Sequence, residues 1–227
     1  LKHTYSRSDL YKNYWFRSSV NETMKKALED ITDDIEKRIA LKENDIVLDI
    51  GCNDGTLLEG FRLMGSKVLG VDPAKNLAVL SEESGIDRFV GFFGSDTADQ
   101  IIETWGQSTV ITATNTFPHI PDLYDFVDGV LKVLKPGGVL VLEMHYLRDL
   151  LEQRAFDTIY HEHVSYWSLT AVRDLFARLG MEVTNAERLP IHHGQLRVFV
   201  QRKGEGLVAN QVNQIIDDEK INKIGEF

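Results

Sequence analysis

Short apolar runs alternate with amphipathic stretches through the middle of the chain, and this alternation constrains the fold more than any other feature. The runs that predict strands are Ile46–Ile50, Lys67–Val71, Arg88–Phe93, Ser108–Thr114 and Val139–Glu143. The stretches that predict helices between them lie near residues 55–64, 75–84, 97–105 and 121–134. Strands and helices that alternate at this spacing form parallel strands joined by crossover helices. The sequence therefore predicts a doubly wound α/β sheet.

Two further strands are predicted near the C-terminus. They follow a predicted helix near residues 169–179 and comprise Glu182–Glu187 and Gln195–Gln201. Only the short connection Pro190–Gly194 separates them, so we expect an antiparallel pair. Five parallel strands and this closing hairpin make a seven-stranded sheet. The tail after Gly206 is predicted to form one more helix, without a contribution to the core.

The N-terminal segment is polar and rich in aromatic residues. Its aromatic residues are Tyr5, Tyr11, Tyr14, Trp15 and Phe16. The segment is too short to fold alone and too aromatic for a free tail, so we expect residues 5–16 to form a lid over the substrate. Deletion of residues 1–16 is then expected to impair turnover and to leave cofactor binding largely intact.

A helix is predicted between this segment and the first strand. Apolar residues from Met24 to Ile39 recur at intervals of three and four, and Asn21 is a suitable N-cap. The predicted organisation is an aromatic segment with its helix (1–41), an α/β domain (42–203) and a C-terminal helix (204–227).

The charge balance and the cysteine content narrow the classes of function. The chain has 25 Lys and Arg and 35 Asp and Glu, a net charge of −10, which disfavours nucleic-acid binding. The single cysteine, Cys52, excludes an internal disulfide and a cysteine-rich zinc site. No apolar run approaches the roughly 18 residues of a membrane helix, and the N-terminus lacks the apolar core of a signal peptide. We expect a cytoplasmic protein.

A glycine loop follows the first predicted strand. Gly51 and Gly55 let the backbone approach a ligand closely, whereas Asn53 replaces a glycine that a dinucleotide-binding loop needs. The acid at the strand end, Asp49, suits an ammonium group. A second acid about 20 residues on, Asp72, can accept hydrogen bonds from both hydroxyls of a ribose. The predicted site for an adenosine without phosphates comprises Asp49, Gly51, Asn53, Asp72, Pro73 and, after the fourth strand, Asn115.

The loop, the acid after the second strand and the strand pattern resemble the S-adenosylmethionine site of class I methyltransferases. The resemblance covers about residues 42–203 and implies S-adenosylmethionine as the cofactor, bound by the six residues named above. The alternative is that Asp-x-Gly-x-x-x-Gly is only a junction between a strand and a helix.

A second polar cluster, Tyr160-His161-Glu162-His163, follows the fifth predicted strand. A carbon nucleophile next to a carbonyl must lose a proton, and the resulting enolate must be stabilised. Histidine is a suitable base for that step because it titrates near neutrality. Glutamate can orient the base, and tyrosine or a second histidine, such as His119 after the fourth strand, can donate to the oxyanion.

This cluster, with Asn115–His119 upstream and Ile191–Val198 downstream, resembles the sugar C-methyltransferases of deoxysugar pathways. That family methylates C3 of a nucleotide-linked 4-keto-deoxyhexose. The resemblance implies a nucleotide sugar as the small-molecule partner and His163 as the base, the last position of Tyr-x-Glu-His. It implies a catalytic cluster of Tyr14, His119, Tyr160, Glu162 and His163. Family members usually carry a zinc module and a second Rossmann-like domain, so the chain is expected to be a central fragment or a shorter relative.

Other functions remain open. One is an O- or N-methyltransferase that acts on a natural product or a polysaccharide, with His163 as the base toward a hydroxyl. Another is a catalytically silent module that binds an adenosine ligand. A metal site is an alternative role for the histidines at positions 119, 145, 161, 163 and 193. Their spacing fixes no third ligand, so we predict no metal.

Overall fold

The computed structural model describes residues 6–191 and 194–224, and the predicted alternation of strands and helices is present there. The strands of this part are β1 (Ile46–Ile50), β2 (Lys67–Val71), β3 (Asp87–Phe89), β4 (Ser108–Thr114), β5 (Leu134–His145), β6 (Met181–Leu189) and β7 (Gln195–Arg202). Its α-helices are α1 (Arg7–Leu10), α2 (Glu22–Arg38), α3 (Thr56–Leu63), α4 (Lys75–Glu83), α5 (Ser95–Trp105), α6 (Leu123–Val133), α7 (Leu147–Gln153), α8 (Leu169–Arg178) and α9 (Asn210–Ile221). None of these helices is both long and apolar enough to span a membrane.

The strands form a sheet in the order β3-β2-β1-β4-β5-β7-β6. β1 pairs in parallel with β2 and with β4, and β2 pairs in parallel with β3. β7 runs antiparallel to both β5 and β6. The predicted doubly wound sheet with an antiparallel last hairpin is therefore confirmed. The strand order reverses between β1 and β4, which is where ligands bind in sheets of this type.

The chain divides into two compact units. The first comprises the described residues up to Thr112 together with Asp128–Lys135. It contains α2 to α5, the parallel strands β1 to β3 and most of β4. Asn21 caps α2 as predicted, since its side chain accepts hydrogen bonds from the backbone N–H groups of Thr23 and Met24. Apolar residues of α2, such as Ile35, and of α3 are buried in its core.

The second unit comprises Ala113–Val127 and the described residues from Pro136 onward. The ring of Phe117 lies within 6.0 Å of the rings of Phe126, Trp167 and Phe176. The prediction that the C-terminal helix adds nothing to the core is wrong, because three residues of α9 are buried: Val212, Ile216 and Glu219. The apolar stripe of α9 is narrow, and its third buried residue is a carboxylate. For both reasons the apolar pattern of the sequence missed this contribution.

The ends of four strands differ from the prediction, those of β6 and β7 by one or two residues and one end each of β3 and β5 by more. β3 stops at Phe89 instead of Phe93, although Gly91 N–H still donates to the carbonyl of Asp72, the residue after β2, at 3.2 Å. β5 begins at Leu134, so it includes the Lys135–Gly138 segment that we predicted as a turn. Gly137 has a φ of 74°, and its N–H donates to Glu205 at 2.9 Å.

Candidate active site

The glycine loop between β1 and α3 lies at the carboxyl end of β1 in the first unit. Gly51 and Gly55 have φ values of 78° and 86°, in the left-handed region that favours glycine. Gly51 N–H donates to the carbonyl of Val71 at 2.7 Å. A Cβ atom on Gly55 would lie 2.6 Å from Cδ1 of Ile86. The loop is therefore packed in a shape that needs glycine at both positions.

Asp72, after β2, is held against this loop. Its Oδ2 accepts from Asn53 N–H at 3.0 Å, and its Oδ1 accepts from Ala74 N–H at 2.8 Å. Nη2 of Arg88 lies 3.2 Å from Oδ1, and the Arg88 side chain is only 1% exposed. Burial raises the pKa of Asp72, while the backbone bond from Ala74, the charge of Arg88 and the bond from Asn53 oppose the rise. A carboxylate has about four acceptor sites, so Asp72 keeps capacity for ribose hydroxyls.

Arg88 is a part of this site that the sequence analysis missed. Besides pairing with Asp72, it donates to the carbonyl of Asn53 at 2.6 Å and to that of Ala74 at 2.9 Å. It thus ties the glycine loop to the segment after β2, where Pro73 lies. One feature of the sequence could have indicated this role: Arg88 is a basic residue in an apolar run that was predicted as a buried strand.

Asp49 is buried near the end of β1, where it is 3% exposed. Its Oδ1 accepts a hydrogen bond from Oγ1 of Thr112 on β4 at 2.7 Å. Burial raises the pKa of Asp49 to about 7; the Thr112 bond opposes this rise and the charge of Asp72 adds to it. A carboxylate in this state would be kept ionised by a bound cation.

The N-terminal aromatic segment is anchored on the glycine loop. Tyr14 N–H donates to Oδ1 of Asn76 at 3.0 Å, and Nδ2 of Asn76 donates to the Tyr14 carbonyl at 2.9 Å. Nδ2 of Asn53 donates to the Phe16 carbonyl at 3.0 Å, and Oδ1 of Asn53 accepts from Ser18 N–H at 3.1 Å. The side chain of Asn53, which we assigned to the cofactor, therefore holds this segment.

The predicted catalytic residues other than Tyr14 belong to the second unit. Val164 N–H donates to the carbonyl of Pro118 at 2.9 Å. This contact brings the loop after β4 beside the Tyr-His-Glu-His motif, so that the rings of His119 and His163 lie 4.9 Å apart. The ring of His145, at the end of β5, lies 5.5 Å from that of His163. The structure thus gathers three histidines in this unit.

The hydrogen bonds of His163 define the tautomer of its neutral ring. Nδ1 lies 2.8 Å from the carbonyl oxygen of Thr158, which can only accept, so Nδ1 carries the proton of the neutral ring. Nε2 is then the basic nitrogen, and it lies 3.2 Å from the hydroxyl of Tyr160, which donates to it. His163 is 5% exposed, whereas Tyr160 is exposed. The arrangement presents a buried base whose lone pair faces a phenol.

His119 is held in its neutral form. The pKa of His119 is lowered to about 4. Burial is the largest cause, and the neighbouring His163 contributes in the same direction. Nδ1 of His119 is buried and has no hydrogen-bond partner in residues 6–191 and 194–224. Burial, and then the charge of the half-buried Glu162, raise the pKa of Tyr160. At neutral pH the cluster therefore offers a neutral imidazole and a protonated phenol.

Asn115 follows β4 with a φ of 53°, and its N–H donates to the Glu143 carbonyl at 2.7 Å. Its side-chain Oδ1 is buried without a hydrogen-bond partner in the described part of the chain. Buried polar atoms are nearly always paired, so this atom and Nδ1 of His119 are suited to contacts with a ligand.

Some predicted residues lie outside the described part of the chain. They include His192 and His193 of the Ile191–Val198 motif, and Tyr5 of the aromatic segment. Among the described residues, no group of three or more His, Cys, Asp or Glu side chains could hold a metal ion. Thr158 was not predicted, because it acts through a backbone carbonyl that leaves no signal in a sequence.

Comparison with known proteins gives both a family and relatives. Residues 20–186 match the family model of the methyltransferase domain. The C-methyltransferase NovU of Streptomyces niveus is 33% identical over 199 residues, 88% of this chain and 47% of that protein. The ubiquinone biosynthesis O-methyltransferase of Agrobacterium fabrum is 32% identical over 125 residues, 53% of this chain and 48% of that protein. The chain spans about half the length of these relatives.

Solved structures share the fold at low sequence identity. The SAM-dependent methyltransferase from Anabaena variabilis ATCC 29413 matches with a TM-score of 0.64 and 14% identity, over 89% of this chain and 98% of that one. Magnesium protoporphyrin IX methyltransferase (ChlM) from Synechocystis PCC 6803, with bound SAH, matches with a TM-score of 0.61 and 10% identity, over 81% and 86%. At these identities the likeness concerns the fold alone.

Proposed function

The chain belongs to the methyltransferase domain family, and from that premise we propose that it is an S-adenosylmethionine-dependent C-methyltransferase. Its acceptor is the carbon next to the ketone of a nucleotide-activated keto-deoxysugar, which reacts through an enolate. The methyltransferase domain is assigned to residues 42–203, between the aromatic segment with its helix (1–41) and the C-terminal helix (204–227). The 33% identity to a C-methyltransferase over most of the chain supports transfer to carbon. The cytoplasmic location stays a prediction.

The residues around the glycine loop fit S-adenosylmethionine, which supplies a methyl group on a sulfonium when bound. Asp49 offers a buried carboxylate for its ammonium group. Asp72 keeps acceptor capacity for the ribose hydroxyls, and Gly51, with the backbone of Asn53, allows close approach to the loop. Pro73 borders this site. The cofactor role of Asn115 and the catalytic role of Tyr14 rest on the sequence.

The hydrogen bonding of His163 is the observation that carries the enolate chemistry. In this proposal, Nε2 accepts the proton from the carbon next to the ketone, and the ring becomes an imidazolium. Its new Nε2–H then donates to the oxygen of Tyr160, so the phenol hydrogen is released to bond the enolate oxygen. Nδ1 of His119, in the tautomer that carries the proton there, provides a second donor, and Glu162 orients the base. After methyl transfer, His163 returns its proton to solvent.

Exchange of the α-proton tests this function directly. A nucleotide-linked 4-keto-deoxyhexose is incubated with the protein in D₂O without cofactor, and deuterium incorporation is followed by NMR. Loss of a positioned base typically costs about 10²–10⁴ in rate, so His163→Ala should lose both exchange and methyl transfer. His119→Ala should keep part of the exchange, since a donor assists but does not abstract. His161→Ala, two positions from the base, is the matched control and should exchange normally.

The roles of the two histidines are reversed if His163→Ala exchanges at the wild-type rate while His119→Ala does not exchange. A wild-type protein that shows no exchange and methylates an oxygen of the sugar refutes the enolate.

A second candidate is transfer to oxygen, with a natural product or a polysaccharide as the acceptor. The matches to ubiquinone biosynthesis O-methyltransferases, at about a third identity over part of the chain, favour this candidate. His163 would then take the proton of a hydroxyl. Methyl transfer to a hydroxyl without any deuterium exchange at carbon identifies this case. Cofactor binding without transfer to any acceptor identifies the silent module.

A further inference from the structure

An apolar pocket of about 190 Å³ lies in the second unit. Aliphatic side chains of α7 and the following loop line it, including Leu147, Leu150 and Ile159. Two aromatic rings, Phe156 and Tyr166, also line it. Phe156 is 72% exposed, so a flat aromatic surface is open to ligands at this position. We call this cavity the Phe156 pocket.

The Phe156 pocket shares a wall with the His163 cluster. Thr158 lines the pocket, and its carbonyl accepts the hydrogen bond from Nδ1 of His163 at 2.8 Å. The hydroxyl of Tyr166 donates to the same carbonyl at 3.2 Å. A single residue, Thr158, therefore separates a group bound in the pocket from the base proposed for the reaction.

Arg154 also lines the Phe156 pocket, and it brings an uncompensated positive charge. Its guanidinium makes no ion pair or hydrogen bond with any residue in the described ranges 6–191 and 194–224. Two other arginines contact carboxylates of α7 and are neutralised: Arg148 pairs with Glu152 at 2.7 Å, and Arg188 pairs with Asp149 and Glu152. The pocket thus combines apolar walls with a guanidinium that has no partner among the described residues.

The backbone of Arg154 is strained. As the C-cap of α7 it has a φ of 54° and a ψ of 42°, in the left-handed region that is usually filled by glycine or asparagine at this position. The arginine side chain adds no ion pair in the described chain to offset this cost. Strain of this kind at the edge of a pocket points to a role in binding.

We propose that the Phe156 pocket and Arg154 bind the nucleoside diphosphate portion of the acceptor. The base enters the pocket against the rings of Phe156 and Tyr166, and the diphosphate pairs with the Arg154 guanidinium. Because the chain carries a net charge of −10, a dianionic ligand needs an uncompensated cation at the point of contact. This inference rests on the proposed function in taking the acceptor to be nucleotide-linked.

Binding of nucleoside diphosphates without a sugar tests the proposal. Thymidine, uridine and guanosine diphosphates are titrated calorimetrically into the 227-residue chain, and the tightest is kept as the probe. Arg154→Asn should weaken its binding about ten- to a hundredfold, the effect expected for a charged hydrogen bond. The melting temperature of this variant should be unchanged or raised, because asparagine tolerates the left-handed conformation. Arg154→Lys should bind with intermediate affinity, since it keeps the charge without the bidentate geometry.

Matched controls separate the pocket from general effects of charge and of exposed apolar surface. Arg178→Asn, at the end of α8, removes the same charge from a residue that does not line the pocket, and it should bind normally. Phe156→Ala should weaken binding of the nucleoside diphosphate but not of inorganic pyrophosphate. Leu207→Ala, which trims a side chain that is 95% exposed, should change neither.

Wild-type affinity in Arg154→Asn, or no binding of any nucleoside diphosphate to the wild-type chain, overturns the proposal. Deuterium exchange measured on the same preparations separates this inference from the proposed function. Exchange without nucleotide binding leaves the proposed function standing and removes this site. Nucleotide binding that depends on Arg154, without exchange, supports this site and removes the proposed function.

Discussion

Replacement of Asp49 by asparagine should stabilise the cofactor-free protein, and the gain should grow with pH. Burial raises the pKa of Asp49 from 3.8 to about 7. The folded state therefore holds a proton that the unfolded state releases above pH 4, so this group lowers the free energy of unfolding as the pH rises. The full rise in pKa corresponds to about 4 kcal/mol above pH 7. Asparagine has no charge to desolvate and retains an oxygen that can accept the bond from Thr112.

The assay is urea unfolding of both proteins at several pH values between 5 and 8. The stability difference between Asp49→Asn and wild type should rise by about 1.4 kcal/mol per pH unit up to pH 7 and then level off. Any fixed packing cost of the asparagine shifts the whole curve without changing this slope. A difference that does not vary with pH would refute the reasoning.

Asp45 provides a control of opposite sign. Burial alone would raise the pKa of Asp45, but hydrogen bonds from Lys135 and Thr109 outweigh it and lower the pKa to about 2. The ionised carboxylate therefore stabilises the folded state above pH 4, and this contribution is lost as the pH falls toward 2. Asp45→Asn should accordingly be less stable than wild type at pH 7.

Three further predictions concern other parts of the molecule. Asp72→Asn, which unlike alanine keeps a partner for the buried Arg88, should weaken S-adenosylmethionine binding by about 1–3 kcal/mol in calorimetry; unchanged affinity removes the ribose assignment. Deletion of residues 1–16 should abolish turnover and, because Phe16 bonds to Asn53, should also weaken cofactor binding, in contrast to the expectation from sequence; full activity shows that Tyr14 has no catalytic role. Glu219→Gln should lower the free energy of unfolding in urea by about 1–3 kcal/mol, since this buried carboxylate accepts from two backbone N–H groups at the start of α8; wild-type stability shows that the cap is dispensable.

The buried strands of the first unit could be predicted from sequence to the residue. Ile46–Ile50, Lys67–Val71 and Ser108–Thr114 are apolar runs bounded by polar residues or glycine, and burial on both faces leaves them no other arrangement. The end of β3 could not be predicted, because the apolar residues of this run continue to Phe93, beyond the last residue of the strand. A strand that ends inside an apolar run has no local signal in the sequence.

The candidate site shows the same division. His163 and Tyr160 were visible as a motif, since their side chains are three positions apart in one segment. His119 could be placed near them because it follows the end of another predicted strand. Arg88 and the carbonyl of Thr158 were not visible: the first acts across the sheet, and the second is a backbone atom that every residue has.

The double use of Asn53 links two events at the glycine loop. Its backbone N–H bonds to the acid assigned to the ribose, and its side chain holds the N-terminal segment at Phe16 and Ser18. A ligand that binds the loop more tightly when the segment is docked must favour the docked segment by the same factor, because coupling free energies are reciprocal. Resistance of residues 6–20 to a protease then reports the fraction of molecules whose glycine loop holds a ligand, without any measurement of the reaction.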